Sequence, residues 1–335
     1  MKDKIKLLKE FRKIKILIIG DMVADVYLKG NISRVSREAP VLVLEHAGEK
    51  IVPGGAANVV HNIATLGGCA IAFGIVGEDS AGIGLKEILN NKNVDTNGLI
   101  MEQNRPTITK TRIIAGGAAT VSQQIVRIDQ ESKKQLLPET ENLIITKLQQ
   151  AIQEVDAVVL SDYGSGMLSD KIRTAIIELC HVRNIKTIVD SRYDILNFAG
   201  VDYVKQNEAE AAKAVGFELI DEDSVVKAGK ILLEKLQAQG IMISRGEHGM
   251  SLIEANGEVN HIPVVDKSEV FDVSGAGDTA VAAFILALTS GATSVEATKI
   301  ANFAAGIAVR KLGTATVSNK ELEDVLGEYY VDSQK

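Results

Sequence analysis

Tryptophan is absent from the 335-residue chain, and six tyrosines and seven phenylalanines are its only aromatic residues. So sparse a set, with a formal net charge of −7 and no basic run, leaves no cationic, aromatic-interleaved stripe for nucleic acid. Cysteine occurs twice, at Cys69 and Cys180, far apart and without C-x-x-C spacing. That argues against a zinc framework or disulfide scaffold and suits a reduced, cytoplasmic setting. The five histidines show no metal-ligand spacing, and no Ser-His-Asp or Cys-His arrangement stands out. No apolar run approaches the roughly 20 residues that cross a bilayer, so no membrane role is expected. The N-terminus is basic, but the apolar stretch after it covers only residues 16–19, a strand rather than a signal sequence. A phosphate loop of the form G-x-x-x-x-G-K-[ST] is missing as well, so any nucleotide phosphate must be held differently.

What is present is 46% hydrophobic residues, enough for a sizeable core, in a length that suits a single large α/β domain over 1–335. Short β-branched runs at 16–19, 157–160, 187–189, 203–204 and 241–244 read as buried strands. Helical patterns lie between and around them, at 56–66, 81–90, 141–154, 171–183, 208–215 and 224–239. Two more, at 278–289 and 295–310, close the chain. This alternation predicts a mostly parallel sheet with helices on both faces. Two segments, about 25–52 and 107–129, instead alternate polar and apolar residues. They read as a small separate antiparallel sheet, a lid over the domain or an oligomer interface.

The most informative segment is Asp272-Val273-Ser274-Gly275-Ala276-Gly277-Asp278, which opens a long apolar helix. Backbone N–H groups at a helix N-terminus point outward, and the dipole puts roughly half a positive charge there, making an anion hole. Gly275 and Gly277 allow close backbone approach, whereas Asp278 at the mouth would repel an anion. It fits a base taking a proton from a hydroxyl that attacks a held phosphate. The same residues also read as a glycine-rich cap with a first-turn carboxylate. The partial G-x-G-x-x-A match of Gly275, Gly277 and Ala280 lies far from the first strand and lacks an acidic ribose partner.

Four further groups fall at strand ends or helix starts. Pro53-Gly54-Gly55-Ala56-Ala57-Asn58 offers close backbone approach and an amide side chain, or a plain turn into a helix. Asp21 and Asp25 follow the first strand, where ligands of open α/β sheets bind, and serve as carboxylate acceptors for sugar hydroxyls or as turn aspartates. Asn207 and Glu210 could hold water around magnesium, or form an ordinary N-cap. Ser244-Arg245-Gly246-Glu247-His248-Gly249 reads as a nucleotide loop with Arg245 near phosphates, or as a hairpin turn into 250–253.

Taken together, residues 14–317 resemble the ribokinase-like (PfkB) family of ATP-dependent sugar kinases, with the Gly54-to-Asn58 and Asp272-to-Asp278 segments matching its two signatures. The resemblance implies a ribokinase-like fold with a small β-sheet lid. It implies Asp278 as catalytic base and Gly275, Ala276 and Gly277 as the anion hole. Asp21, Asp25, Gly54, Gly55, Asn58 and Arg112 would bind the sugar. Asn207, Glu210, Ser244, Gly246, Gly249 and Asn302 would bind the nucleotide. Asn207 and Glu210 would organise Mg2+ through water, and Asp272 with Ser274 falls where some relatives bind a monovalent cation such as K+. The implied partners are ATP and a small sugar or sugar phosphate; the open edges of the alternating lid strands would themselves suit a homodimer.

Within the family, four stretches look like those of the D-glycero-D-manno-heptose-7-phosphate kinases. They are residues 33–41, 106–112 and 160–164, together with Lys311-Leu312-Gly313-Thr314. Three departures stand against that likeness. Asp190-Ser191-Arg192 replaces the usual Asp-Pro-Lys, residues 116–122 form a longer glycine- and alanine-rich insertion, and no nucleotidyltransferase His-x-Gly-His signature occurs. The sequence therefore predicts a kinase alone, with adenylylation left to another protein.

Overall fold

A computed structural model of the chain describes residues 2–117, 120–264 and 270–332. The first half runs α1 (Lys2–Glu10), β1 (Lys15–Gly20), β2 (Met22–Val35), β3 (Leu42–Gly55), α2 (Ala56–Thr65), β4 (Cys69–Val76), α3 (Ser80–Asn90), β5 (Asp95–Met101), β6 (Ile108–Gly117), β7 (Thr120–Gln130) and α4 (Pro138–Ala151). The second continues β8 (Ala157–Asp162), α5 (Asp170–Arg183), β9 (Lys186–Ser191), β10 (Tyr203–Asn207), α6 (Glu208–Val215), α7 (Glu222–Leu236), β11 (Gly240–Ser244), β12 (Met250–Glu254), β13 (Val259–Ile262), α8 (Ala276–Thr289), α9 (Ser294–Ala308) and α10 (Asn319–Asp332).

A nine-stranded sheet in the order β13-β12-β11-β10-β9-β8-β1-β4-β5 forms the main layer. It is parallel except for the β11–β12–β13 edge. Side chains alternate across each strand, so both faces need cover. Ile16 and Ile18 of β1 enter one core cluster with α2, α8 and α9, while Leu17 and Ile19 enter the other with α4, α5 and α7. Every run read as a buried strand lies in this sheet; β4, β5, β12 and β13 do not stand out in the sequence. In β4 small residues interrupt the β-branched run, and β5 is a polar edge strand (Asp95-Thr96-Asn97-Gly98).

Residues 22–55 and 108–130 build the second, four-stranded sheet, in the order β3-β2-β6-β7. The expectation of an antiparallel sheet needs one correction, because its central pair, β2 and β6, is parallel. Its strands also reach further than the sequence pattern suggests. β3 runs on to Gly55 and passes directly into α2, where Gly55 at φ 55° and ψ −136° takes a backbone conformation open only to glycine. The signature glycines thus join the lid to the core. Of the 116–122 insertion, Ala118 and Ala119 lie outside the described residues.

Candidate active site

Because β1, β8, β9, β10 and β11 are parallel, their carboxyl ends share one edge of the main sheet. The N-terminus of α8 points into this edge, and Asp278 in its first turn is only 4% exposed. One Asp278 oxygen accepts from Asn58 Nδ2 at 2.8 Å, and the other accepts from Tyr163 Oη at 2.8 Å. Burial pushes its pKa up to about 6, with the hydrogen bond from Asn58 opposing, the Asp190 charge assisting, and Tyr163 and Lys205 opposing. The carboxylate is thus ionised at neutral pH yet far more basic than a solvated one. Tyr163, pushed well above the usual tyrosine range by burial and the charges of Asp278 and Asp190, stays a donor.

Lys205 is not among the candidates read from the sequence, yet it stands at the centre of the site. It projects from β10 to Asp190 on the neighbouring strand, with Nζ 2.9 Å from Oδ2. Burial would discharge it, but the charges of Asp190 and Glu210 outweigh that and raise its pKa. A Cβ on Gly277 would sit 2.6 Å from Lys205 Nζ, so the ammonium lies directly against the start of α8 and a side chain there would push it aside. The segment Gly275, Ala276 and Gly277, read from the sequence as an anion hole, therefore has a cation beside it. Part of its backbone is already engaged, since the Ala276 amide donates to Val273 O at 3.3 Å. A lysine inside the buried run Tyr203-Val204-Lys205 is the sequence signal for this residue, and Tyr163 is marked by its place after a strand and within the 160–164 stretch.

The sugar-side candidates divide. Asp25 is buried; it accepts from Arg112 Nη1 at 2.6 Å and from Thr314 Oγ1 at 3.2 Å, with Gly54 packed against it. Arg112 stacks 5.3 Å from the Tyr27 ring centre. Asp21 is a correction: its carboxylate faces inward and accepts from the backbone amides of Tyr163, Ser165 and Met167 at 2.9–3.1 Å. Burial pushes its pKa to about 6, against the Ser165 amide and with the Asp162 charge. Asp21 holds the loop that carries Tyr163 rather than offering acceptors to a sugar. Asn58 likewise spends its side chain on Asp278 and on Asn62, whose Nδ2 donates to Asn58 Oδ1 at 3.1 Å.

On the nucleotide side, Asn207 and Glu210 close a capping box at α6, each side chain accepting from the other's backbone at 2.8 Å. Glu210 lies in the same charge cluster as Asp190, Lys205 and Arg192, and burial together with Asp190 raises its pKa. Ser244 Oγ reaches Gln206 O at 3.4 Å, and Gly246 and Gly249 form the turn of the β11–β12 hairpin. Arg245 does not face phosphates: its buried guanidinium lies 3.5 Å from Glu208 and 3.3 Å from Glu222. Asn302 Nδ2 donates to Pro263 O at 2.8 Å. Asp272 accepts from the amides of Ser274 and Gly313 at 2.8 and 3.0 Å. Burial works against its ionisation, yet these bonds keep its pKa below the ordinary value. Among the described residues no cluster of three His, Cys, Asp or Glu side chains is arranged for a metal ion, and no helix is long and apolar enough to cross a membrane.

A family profile described as pfkB family carbohydrate kinase matches residues 13–321. The bifunctional protein HldE of a Nitratiruptor species is 39% identical over 312 residues, covering 93% of this chain and 65% of that protein. The HldE of Azorhizobium caulinodans is 41% identical over 323 residues, covering 96% and 66%. The chain thus spans about two thirds of the length of these relatives. Among solved structures, Arabidopsis thaliana ribokinase complexed with ribose and ATP superposes with a TM-score of 0.71 at 18% identity, over 93% of this chain and 98% of that one. Escherichia coli phosphofructokinase-2 in complex with potassium gives 0.74 at 20%, over 95% and 99%. These two likenesses establish the ribokinase-like fold.

Proposed function

Because the chain belongs to the pfkB family of carbohydrate kinases, we propose that it transfers the γ-phosphoryl group of ATP to D-glycero-D-manno-heptose 7-phosphate at its anomeric hydroxyl. The observation that carries the phosphoryl-transfer reading is the junction at α8, where a buried carboxylate, a helix N-terminus and the Lys205 ammonium converge. The heptose phosphate reading rests on the stretches at 33–41 and 106–112 and on the 39–41% identity to the HldE proteins.

In this mechanism the sugar hydroxyl oxygen attacks the γ-phosphorus, the bond to the bridging oxygen breaks, and ADP leaves with the electron pair. Asp278 receives the hydroxyl proton. Asn58 and Tyr163, bonded to its two oxygens, hold it in register. Lys205 and the first amides of α8 neutralise charge on the transferring group, and being fixed beforehand they need no reorganisation. Magnesium bound with ATP would spread the remaining phosphate charge. Asn207 and Glu210 would hold the ion through water, since each side chain already accepts the other's backbone amide. Potassium fits less well, since both Asp272 oxygens are taken by amides, and no step depends on it.

The test is magnesium- and ATP-dependent ADP release against a panel of sugars, sugar phosphates and nucleosides that includes the heptose phosphate. A preference for the heptose phosphate supports the full reading. Preference for another compound keeps the mechanism and moves the substrate, and no turnover with any of them argues for a binding module. A second copy of the chain is proposed to cover the lid, where Val121, Ile125, Val126 and Ile128 of β7 are 44–83% exposed. Light scattering that returns only the monomer mass would reject it. ATP as substrate, with the paucity of cysteine, assigns the reaction to the cytoplasm.

A further inference from the structure

Arg245 carries a charge that no step of the proposed reaction uses. Ser244 pairs with Asn207 in the parallel β10–β11 register, so Arg245 and Glu208 leave adjacent strand ends side by side. The Arg245 side chain is 8% exposed, with Nε 3.5 Å from Glu208 at the start of α6 and Nη1 3.3 Å from Glu222 at the start of α7. Nη1 also donates to Ser251 Oγ on β12 at 3.4 Å. That oxygen lies 2.8 Å from His261 Nδ1 on β13, and His261 Nε2 lies 3.9 Å from Glu222. Arg245, Ser251, His261 and Glu222 thus form a closed ring, with Glu208 attached at one corner. The two acids are partly exposed, so the cost of burial falls on the arginine. An apolar side chain in the same space would serve packing as well. What a planar fork with several donors adds is geometry, because it fixes the spacing of the groups it bridges.

We infer that Arg245 is a positioning residue for the nucleotide, holding the start of α6 against the β11–β12 turn so that the two halves of the ATP site keep one spacing. The inference rests on the proposed kinase reading and deepens it with a residue that acts without touching the ligand. One half is the capping box of Asn207 and Glu210, and Glu208 lies between them in the chain. The other half is the turn of Gly246 and Gly249, which the Arg245 backbone itself shapes. Its amide donates to Gly249 O at 2.7 Å, and its carbonyl accepts from the His248 amide at 2.9 Å. Gly249 packs so closely on the end of β13 that a Cβ there would strike Ile262 O, which fixes the turn on that side. The β10–β11 ladder has its last rung at Asn207 and Ser244, and the next link between the two halves is the contact of Arg245 with Glu208.

The experiment varies magnesium ATP and, separately, the heptose phosphate in steady-state kinetics of wild type, Arg245→Met, Arg245→Lys, Glu208→Gln and the double variant Arg245→Met with Glu208→Gln. Arg245→Met should raise the KM for ATP about 10-fold and leave the acceptor KM within about 2-fold. Arg245→Lys, which keeps the charge and loses the fork, should recover part of that loss. Glu208→Gln should also raise the KM for ATP, and the double variant should be little worse than Arg245→Met, because the two residues act as one link. An unaltered KM for ATP, an equal loss on both substrates or full additivity in the double variant overturns the inference. Should Arg245→Met fail to fold, Arg245→Lys and Glu208→Gln read the same KM, and wild-type values in both overturn it. If the wild type turns over no acceptor, calorimetric titration with magnesium ATP separates the two readings. ATP bound by the wild type and held more weakly by Arg245→Met supports the positioning role while counting against the sugar kinase. Equal binding overturns the positioning role alone, and no binding by the wild type overturns both.

Discussion

Lys205 and Arg112 are both cations paired with an aspartate of the neighbouring strand, but they sit in differently built sheets. Lys205 and Asp190 belong to central strands covered on both faces, and their side chains are 8% and 16% exposed. Arg112 and Asp25 belong to the lid, whose outer strand β7 is exposed from Val121 to Gln130. The core pair is held by packing that does not depend on substrate. The lid pair is as buried, at 15% and 4%, but it belongs to a four-stranded sheet whose outer strand lies open to solvent. On the proposed reading, chemistry belongs to the main sheet and acceptor recognition to the lid sheet.

Asp278→Asn tests the core side most severely. Turnover should fall by about 10³-fold or more while ATP affinity stays near wild type; near-normal turnover would remove Asp278 as the base. The same variant has a stability signature. The folded pKa of about 6 lies above the ordinary 3.8, so ionising this buried acid costs stability as pH rises from about 4 to above 6. The variant should melt higher than wild type at pH 7, and the gain should vanish towards pH 4.

Lys205→Met should lower kcat about 100-fold. Because it leaves the Asp190 charge beside Asp278 without its counter-ion, it should also move the acidic limb of the pH–rate profile upward. An unmoved limb would mean that the ammonium does not couple to the base. The lid counterpart, Arg112→Met, should act mainly on acceptor KM, by about 10-fold. It strips a partner from buried Asp25, which Thr314 alone must then satisfy. A kcat loss equal to that of Lys205→Met would erase the distinction between the two sheets.

The smallest effect is expected on β7. Val121→Ser with Ile125→Ser should change protomer stability by less than about 1 kcal/mol, since both side chains are exposed. It should nevertheless halve the mass in solution, and an unaltered mass would release β7 from the proposed interface.

Much of this is legible in the chain. Short β-branched runs of two to four residues, set between helical patterns, mark β1, β8, β9, β10 and β11 as buried strands. The glycine-bearing segment before α8 also announces itself, because anion binding needs free amides and no Cβ. Pairing partners across the chain are not legible. Asp21 reads like Asp25 in sequence, yet one turns to the amides of Tyr163, Ser165 and Met167 and the other to the cleft. The parallel β2–β6 pairing is likewise hidden, since alternation tells which residues share a face but not the direction of the neighbouring strand.

By itself, then, the sequence determined the layers, the helix that opens on a bare N-terminus and the carboxylate set at its mouth, because these follow from local periodicity and backbone freedom. Only the tertiary structure decided that Lys205 reaches Gly277, that Tyr163 and Asn58 grip Asp278, and that Arg245 joins the starts of α6 and α7. Those contacts join residues up to 220 positions apart, and burial sets their charges. Local propensity carries no record of either.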